Sequence, residues 1–111
     1  MTSHNGTVDF EIKRGDVLPT MVIRCLNGET SVDLTTASLV KIKGRIPGAS
    51  SLLFDRTVTG DANGDVTLVW QSADTIAAGD LYVEVEATFA GGKQTFPRKG
   101  YVLVRIYPDA D

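Results

Sequence analysis

The stretch Gly79-Asp80-Leu81-Tyr82-Val83-Glu84-Val85-Glu86-Ala87-Thr88-Phe89 decides the fold. After a Gly-Asp turn signal, Leu81, Val83, Val85 and Phe89 fall on one side of the chain, and Tyr82, Glu84 and Glu86 on the other. Side chains along a strand alternate between faces, so this pattern predicts a strand over residues 81–89 with one face buried and one wet. Leu39–Ile46 reads the same way, with Val40, Ile42 and Ile46 inward and Lys41, Lys43 and Arg45 outward. If these two strands are neighbours, Lys41 and Lys43 face Glu84 and Glu86 across the outer surface. Such opposite-charge pairs help fix register, because a one-residue slip would bury them.

Working outward, further strands are expected over Thr7–Ile12, Thr20–Leu26, Ser51–Thr59, Val66–Trp70 and Tyr101–Tyr107. Val66, Leu68 and Trp70 face in, as do Val102, Val104 and Ile106, and Pro108 ends the last strand because it has no ladder donor. Turn signals separate these runs: Arg14-Gly15-Asp16, Asn27-Gly28, Pro47-Gly48, Gly60 to Gly64, Gly79-Asp80, Gly91-Gly92 and Pro97 to Gly100. Ser31–Ser38 reads as an irregular or edge segment, and Ser72–Ala78 as a single helical turn stopped by Gly79. Short strands at even spacing predict an all-β fold, an immunoglobulin-like antiparallel β-sandwich of about seven strands. The single cysteine, Cys25, means that it has no internal disulfide. Residues 1–6 are expected to be a flexible lead-in, and 7–111 a single domain.

Composition narrows the function classes. The chain has 111 residues, 42% of them hydrophobic, enough for one real core. Its 11 Lys and Arg against 14 Asp and Glu give a net charge of −3, which is not the basic footprint of a nucleic-acid binder. No apolar run approaches the ~20 residues of a membrane span, and the polar start lacks the pattern of a signal peptide. With one histidine, His4, no His-based metal cluster is possible. No nucleophile elbow, phosphate-binding glycine loop or cysteine pair occurs, so neither catalysis nor a cofactor is expected.

Individual motifs read as structure. Asp61-Ala62-Asn63-Gly64-Asp65 opens like a calcium loop but has Val66 and Ser72 where glycine and glutamate are required, so a hairpin turn is expected. Arg14-Gly15-Asp16 is turn chemistry, and Cys25 a small buried hydrophobe. Asp33, Asp55, Asp74, Asp109 and Asp111 are expected to be solvated loop charges. The last strand stands apart, because Tyr101, Leu103 and Tyr107 around Arg105 make its outer face apolar too. That face is either covered by the chain's own loops or N-terminal segment, or forms a protein–protein contact. Tyr101, Leu103, Arg105 and Tyr107 are therefore the candidate interface.

The order of these segments resembles the N-terminal immunoglobulin-like domain of phage baseplate upper proteins and related short phage tail proteins. The resemblance is carried by Phe10 to Asp16, by Asn27 to Thr35 with its Val-Asp-Leu-Thr, by Gly64 to Leu68 with Ala78 to Glu86, and by Gly91 to Pro97 with Gly100 to Val104. It implies a non-enzymatic virion protein, made in the bacterial host cytoplasm, that docks to neighbouring tail or baseplate subunits in symmetric copies, without nucleic-acid or membrane partners. Baseplate upper proteins continue into a helical or fibre-binding extension where this chain stops at Asp111, so a small adaptor, a tail-tip component or a capsid decoration protein is expected. A carbohydrate-binding module is the rival from another class. It would need aromatic platforms on loops, and here the aromatic residues fall mostly within expected strands.

Overall fold

A computed structural model describes residues 8–110. The expected lead-in 1–6, Thr7 and Asp111 lie outside the described residues. The chain forms β1 (Phe10–Lys13), β2 (Met21–Arg24), β3 (Leu26–Asn27), β4 (Thr30–Ser31), β5 (Leu39–Arg45), β6 (Phe54–Val58), β7 (Asp65–Leu68), β8 (Gly79–Phe89), β9 (Gly92–Phe96) and β10 (Val102–Tyr107). A short 3-10 helix, Ser72–Thr75, precedes β8.

The long alternating stretch forms the centre of the larger sheet. β8 pairs antiparallel with β5 along one edge; along the other it pairs with β10 and, further on, with β9. The sheet order is β1-β10-β8-β5-β6. β2 and β7 form a second, two-stranded sheet, and β3 and β4 a small hairpin around Asn27-Gly28. Met21, Ile23, Val66 and Leu68 from the smaller sheet share one buried cluster with Val40, Ile42, Val83, Val85 and Val104 from the larger one. Trp70 joins the two, stacked on Phe10 at 5.9 Å and edge-on to Phe54 at 6.4 Å. The Cα radius of gyration, 13.8 Å, is that of a compact chain of this length.

Several expectations are corrected. The larger sheet is mixed, because β1 runs parallel to β10, pairing Phe10 with Val104 and Lys13 with Tyr107. The chain enters beside its own last strand, and the segment after Lys13 then crosses to the smaller sheet instead of turning back as a hairpin. The strand expected over Thr20–Leu26 is split at Cys25, whose N–H donates to Gly64 and whose carbonyl accepts from Val32. β9 is not among the seven expected strands, although the resemblance matches Gly91 to Pro97 to a final hairpin; it lies on the same edge of β8 as β10, and residues 97–101 separate the two. Ile46 lies past the end of β5 and is 42% exposed. The inward position that follows Val40 and Ile42 is Gly44, where the Phe54 ring fills the space that a Cβ would take. Ala87 is fully buried on β8 and Phe89 only partly.

Candidate docking surface

On the outer face of the larger sheet, hydrogen bonds and ion pairs link one strand to the next. Lys41 lies opposite Glu86, and Lys43 opposite Glu84. The ion pairs do not all run straight across the ladder: Lys43 Nζ sits 3.0 Å from Glu86, Lys93 3.7 Å from the same carboxylate, and Lys41 3.4 Å from Asp55. The hydrogen bond from Lys43 holds Glu86 below the ordinary carboxylate range. Burial pushes Glu84 above it, against the pull of Arg45 and Lys43.

The four candidate interface residues continue this lattice, and they do not form a common apolar surface. Tyr101 stacks on Tyr82 with centroids 4.5 Å apart, and its hydroxyl accepts from Arg45 at 3.2 Å. Arg105 Nε donates to Asp80 at 2.8 Å, which raises the guanidinium pKa further. The Tyr107 hydroxyl donates to Glu11, and that bond pushes the phenol pKa up. Leu103 is only 3% exposed. Its N–H donates to the Asp9 carboxylate at 2.9 Å and its carbonyl accepts from the Asp9 N–H at 2.8 Å, so the segment ahead of β1 runs beside it. A side chain so enclosed has no surface to give a partner.

Most of the exposed large apolar residues lie instead at one end of the molecule. There β1, β5 and β10 finish while β6 and β8 begin, as the pairings Lys13 with Tyr107, Ile106 with Gly79, Arg45 with Tyr82 and Gly44 with Phe54 require. A cleft of about 480 Å³ opens between the turn after β5 and the segment before β8, lined by Ile46, Pro47, Leu53, Ile76, Ala77 and Ile106 among others. Ile76 stands at its lip, 69% exposed. The turn after β1 is fastened alongside: Gly15 N–H donates to the Thr75 carbonyl at 3.0 Å, and Thr75 Oγ1 donates to the Asp16 carbonyl at 2.9 Å. That turn carries Leu18, 70% exposed, and Val17. Leu52 and Leu53 add to the patch.

A buried carboxylate supports the cleft wall, and it overturns the expectation that Asp74 is solvated. Asp74 is 3% exposed. It accepts from both terminal nitrogens of Arg56, at 2.6 and 2.5 Å, and from the Gln71 N–H at 2.8 Å. Burying a charge requires such partners. Arg56 also lies over the Phe54 ring, 4.7 Å from its centroid. Asp109 and Asp55 are paired as well, with Arg14 at 2.6 Å and Lys41 at 3.4 Å.

The remaining motifs are structural. Asp61 Oδ1 accepts from the N–H groups of Asn63 and Asp65, both at 2.9 Å, so its carboxylate closes the turn. Arg14 of the Arg-Gly-Asp turn is held by Asp109. Cys25 is buried, and desolvation pushes its thiol up to about 12.

Alternation within strands could not have revealed the apolar end, because it is assembled from turns. The available signal is that Val17, Leu18, Ile46, Leu52, Leu53 and Ile76 are large apolar residues lying outside every strand. Comparison with family models, curated proteins and solved structures finds nothing that matches this chain.

Proposed function

We propose that the two sheets form an immunoglobulin-like sandwich and that the chain is a non-enzymatic structural protein of a phage particle, an adaptor that docks to neighbouring tail or baseplate subunits. The apolar end carries this reading. Large exposed apolar residues gathered at one end of a molecule mark a surface built for a protein partner, and here Ile46, Leu53 and Ile76 line a cleft of about 480 Å³, large enough to take an anchoring side chain. The outer face of the larger sheet is largely taken up by internal ion pairs, hydrogen bonds and ring stacking. The segment-by-segment resemblance to baseplate upper proteins supplies the setting: a particle in which each subunit must be held by its neighbours.

Localising the protein in purified particles by cryo-electron microscopy tests this. The expected result is density in the tail or baseplate, at tens of copies or fewer, with the end that carries Ile76 and Leu18 against a neighbour. Mature particles that lack the chain would overturn the proposal. So would particles in which that end faces solvent.

A further inference from the structure

We infer that the neighbour seated on the apolar end is a second copy of this chain, joined end to end about a two-fold axis. The inference rests on reading that end as a docking surface, and it adds the identity of the occupant.

Charge is the first argument. Most cations of this end have carboxylates near them within the same chain. Arg56 holds Asp74, Arg105 holds Asp80 and Arg14 holds Asp109; Lys13 shares its turn with Asp16, and Arg45 donates to the Tyr101 hydroxyl and feels the Glu84 carboxylate. A surface whose charges are largely balanced internally asks for no partner of opposite sign, and an identical surface can lie on it with little repulsion. The opposite end, where β5 begins and β2 finishes, does not have this property. Glu29, Asp33 and Asp61 are exposed there, with the carboxylates of Asp33 and Asp61 bonded to Thr35 and to backbone N–H groups. In a chain of net charge −3, two such acidic ends would repel.

Shape is the second argument. A two-fold contact is self-complementary: whatever fits into the partner must stand beside the hollow that receives the partner's equivalent. Ile76 and the cleft meet this condition, since the residue projects from the cleft's own wall. A two-fold placed through this end sends each Ile76 toward the cleft of the other copy, against Ile46, Leu53 and Ile106, with Leu18 at the margin.

Sedimentation equilibrium on the full chain tests the inference. The unmodified protein is expected to show a concentration-dependent dimer, and Ile76→Asp to weaken it at least tenfold. Leu18→Asp should weaken it as well, and Leu39→Asp, at the opposite end, should leave it unchanged. These side chains are exposed, so circular dichroism should report the same fold in all variants. A protein that remains monomeric at its highest soluble concentration overturns the inference, as does a dimer indifferent to both Ile76→Asp and Leu18→Asp. Neither result touches the docking reading itself. That reading is tested separately, in particles: it fails if the chain is absent from them, if this end faces solvent there, or if Ile76→Asp protein still enters them normally.

Discussion

Asp74 shows at the scale of single residues what a local reading of the chain misses. It lies in a short segment of Ser, Ala, Asp and Thr that has every mark of a solvated turn, and its partner Arg56 is 18 positions away on an edge strand. No period or spacing connects the two. Packing brings them together: the 3-10 turn meets the middle of β6 through Asp74 and Arg56, and the covered carboxylate is satisfied by a bidentate guanidinium and a backbone N–H. Removing one partner from a buried pair leaves an uncompensated charge, which typically costs about 3–5 kcal/mol. Arg56 keeps a partly exposed side chain, so Asp74→Ala is expected at the low end, about 3 kcal/mol by urea denaturation. Arg56→Met combined with Asp74→Leu should cost markedly less than the sum of the single changes. Additive costs would show that the two side chains do not act as a pair. Cys25, by contrast, was legible from its apolar neighbours. Its thiolate is disfavoured by burial, so a thiol reagent at neutral pH should modify it only at the rate of unfolding. Fast modification of the native protein would contradict its enclosure.

At the scale of elements, the pairing of β5 with β8 was legible because both strands alternate cleanly and carry opposite charges outward. What was not legible is how those charges share partners. Glu86 takes both Lys43 and Lys93, since β9 brings Lys93 onto the same face. Glu84, with the same side-chain chemistry two residues away, is the more buried carboxylate. The two therefore have opposite linkage to pH. Glu86 has a folded pKa below its unfolded one, so its contribution is present above the ordinary carboxylate range and is lost as pH falls from there through the lowered folded value. Glu84 has a raised folded pKa, so its contribution is present in acid and is lost as pH rises through that raised value. Glu86→Gln should accordingly destabilise by about 0.5–1 kcal/mol at pH 7 and much less in acid. Glu84→Gln should be neutral or slightly stabilising at pH 7. Identical pH profiles for the two variants, measured by denaturant titration, would refute this assignment. The split of one expected strand into β2 and β3 is not legible for a related reason. Both are apolar enough to read as continuous, and only the contacts of Cys25 with Gly64 and Val32 break them.

For the whole molecule, the core was largely readable and the docking end was not. Buried residues such as Ile42, Val66, Leu68, Val83, Val85 and Val104 follow strand periodicity, which any stretch of the chain reveals by itself. Leu18, Ile46, Leu53 and Ile76 become neighbours only after the strands have fixed where their turns emerge, so their grouping is a property of topology. The same topology makes one core out of two sheets, with Trp70 at the junction. It follows the smaller sheet's β7 and packs on Phe10 and Phe54 of the larger sheet. As the chain's only tryptophan, it reports on contact between the two sheets, while far-UV circular dichroism reports on the strands themselves. If the sheets depend on each other, both signals should fall in a single coincident transition in urea, with a slope of about 1–1.5 kcal/mol/M for a domain of this size. A fluorescence change that precedes the loss of strand signal would mean that the larger sheet persists without the smaller one. The core would then be two separable units, and the apolar end, which draws on turns from both, would lose its fixed shape before the fold was lost.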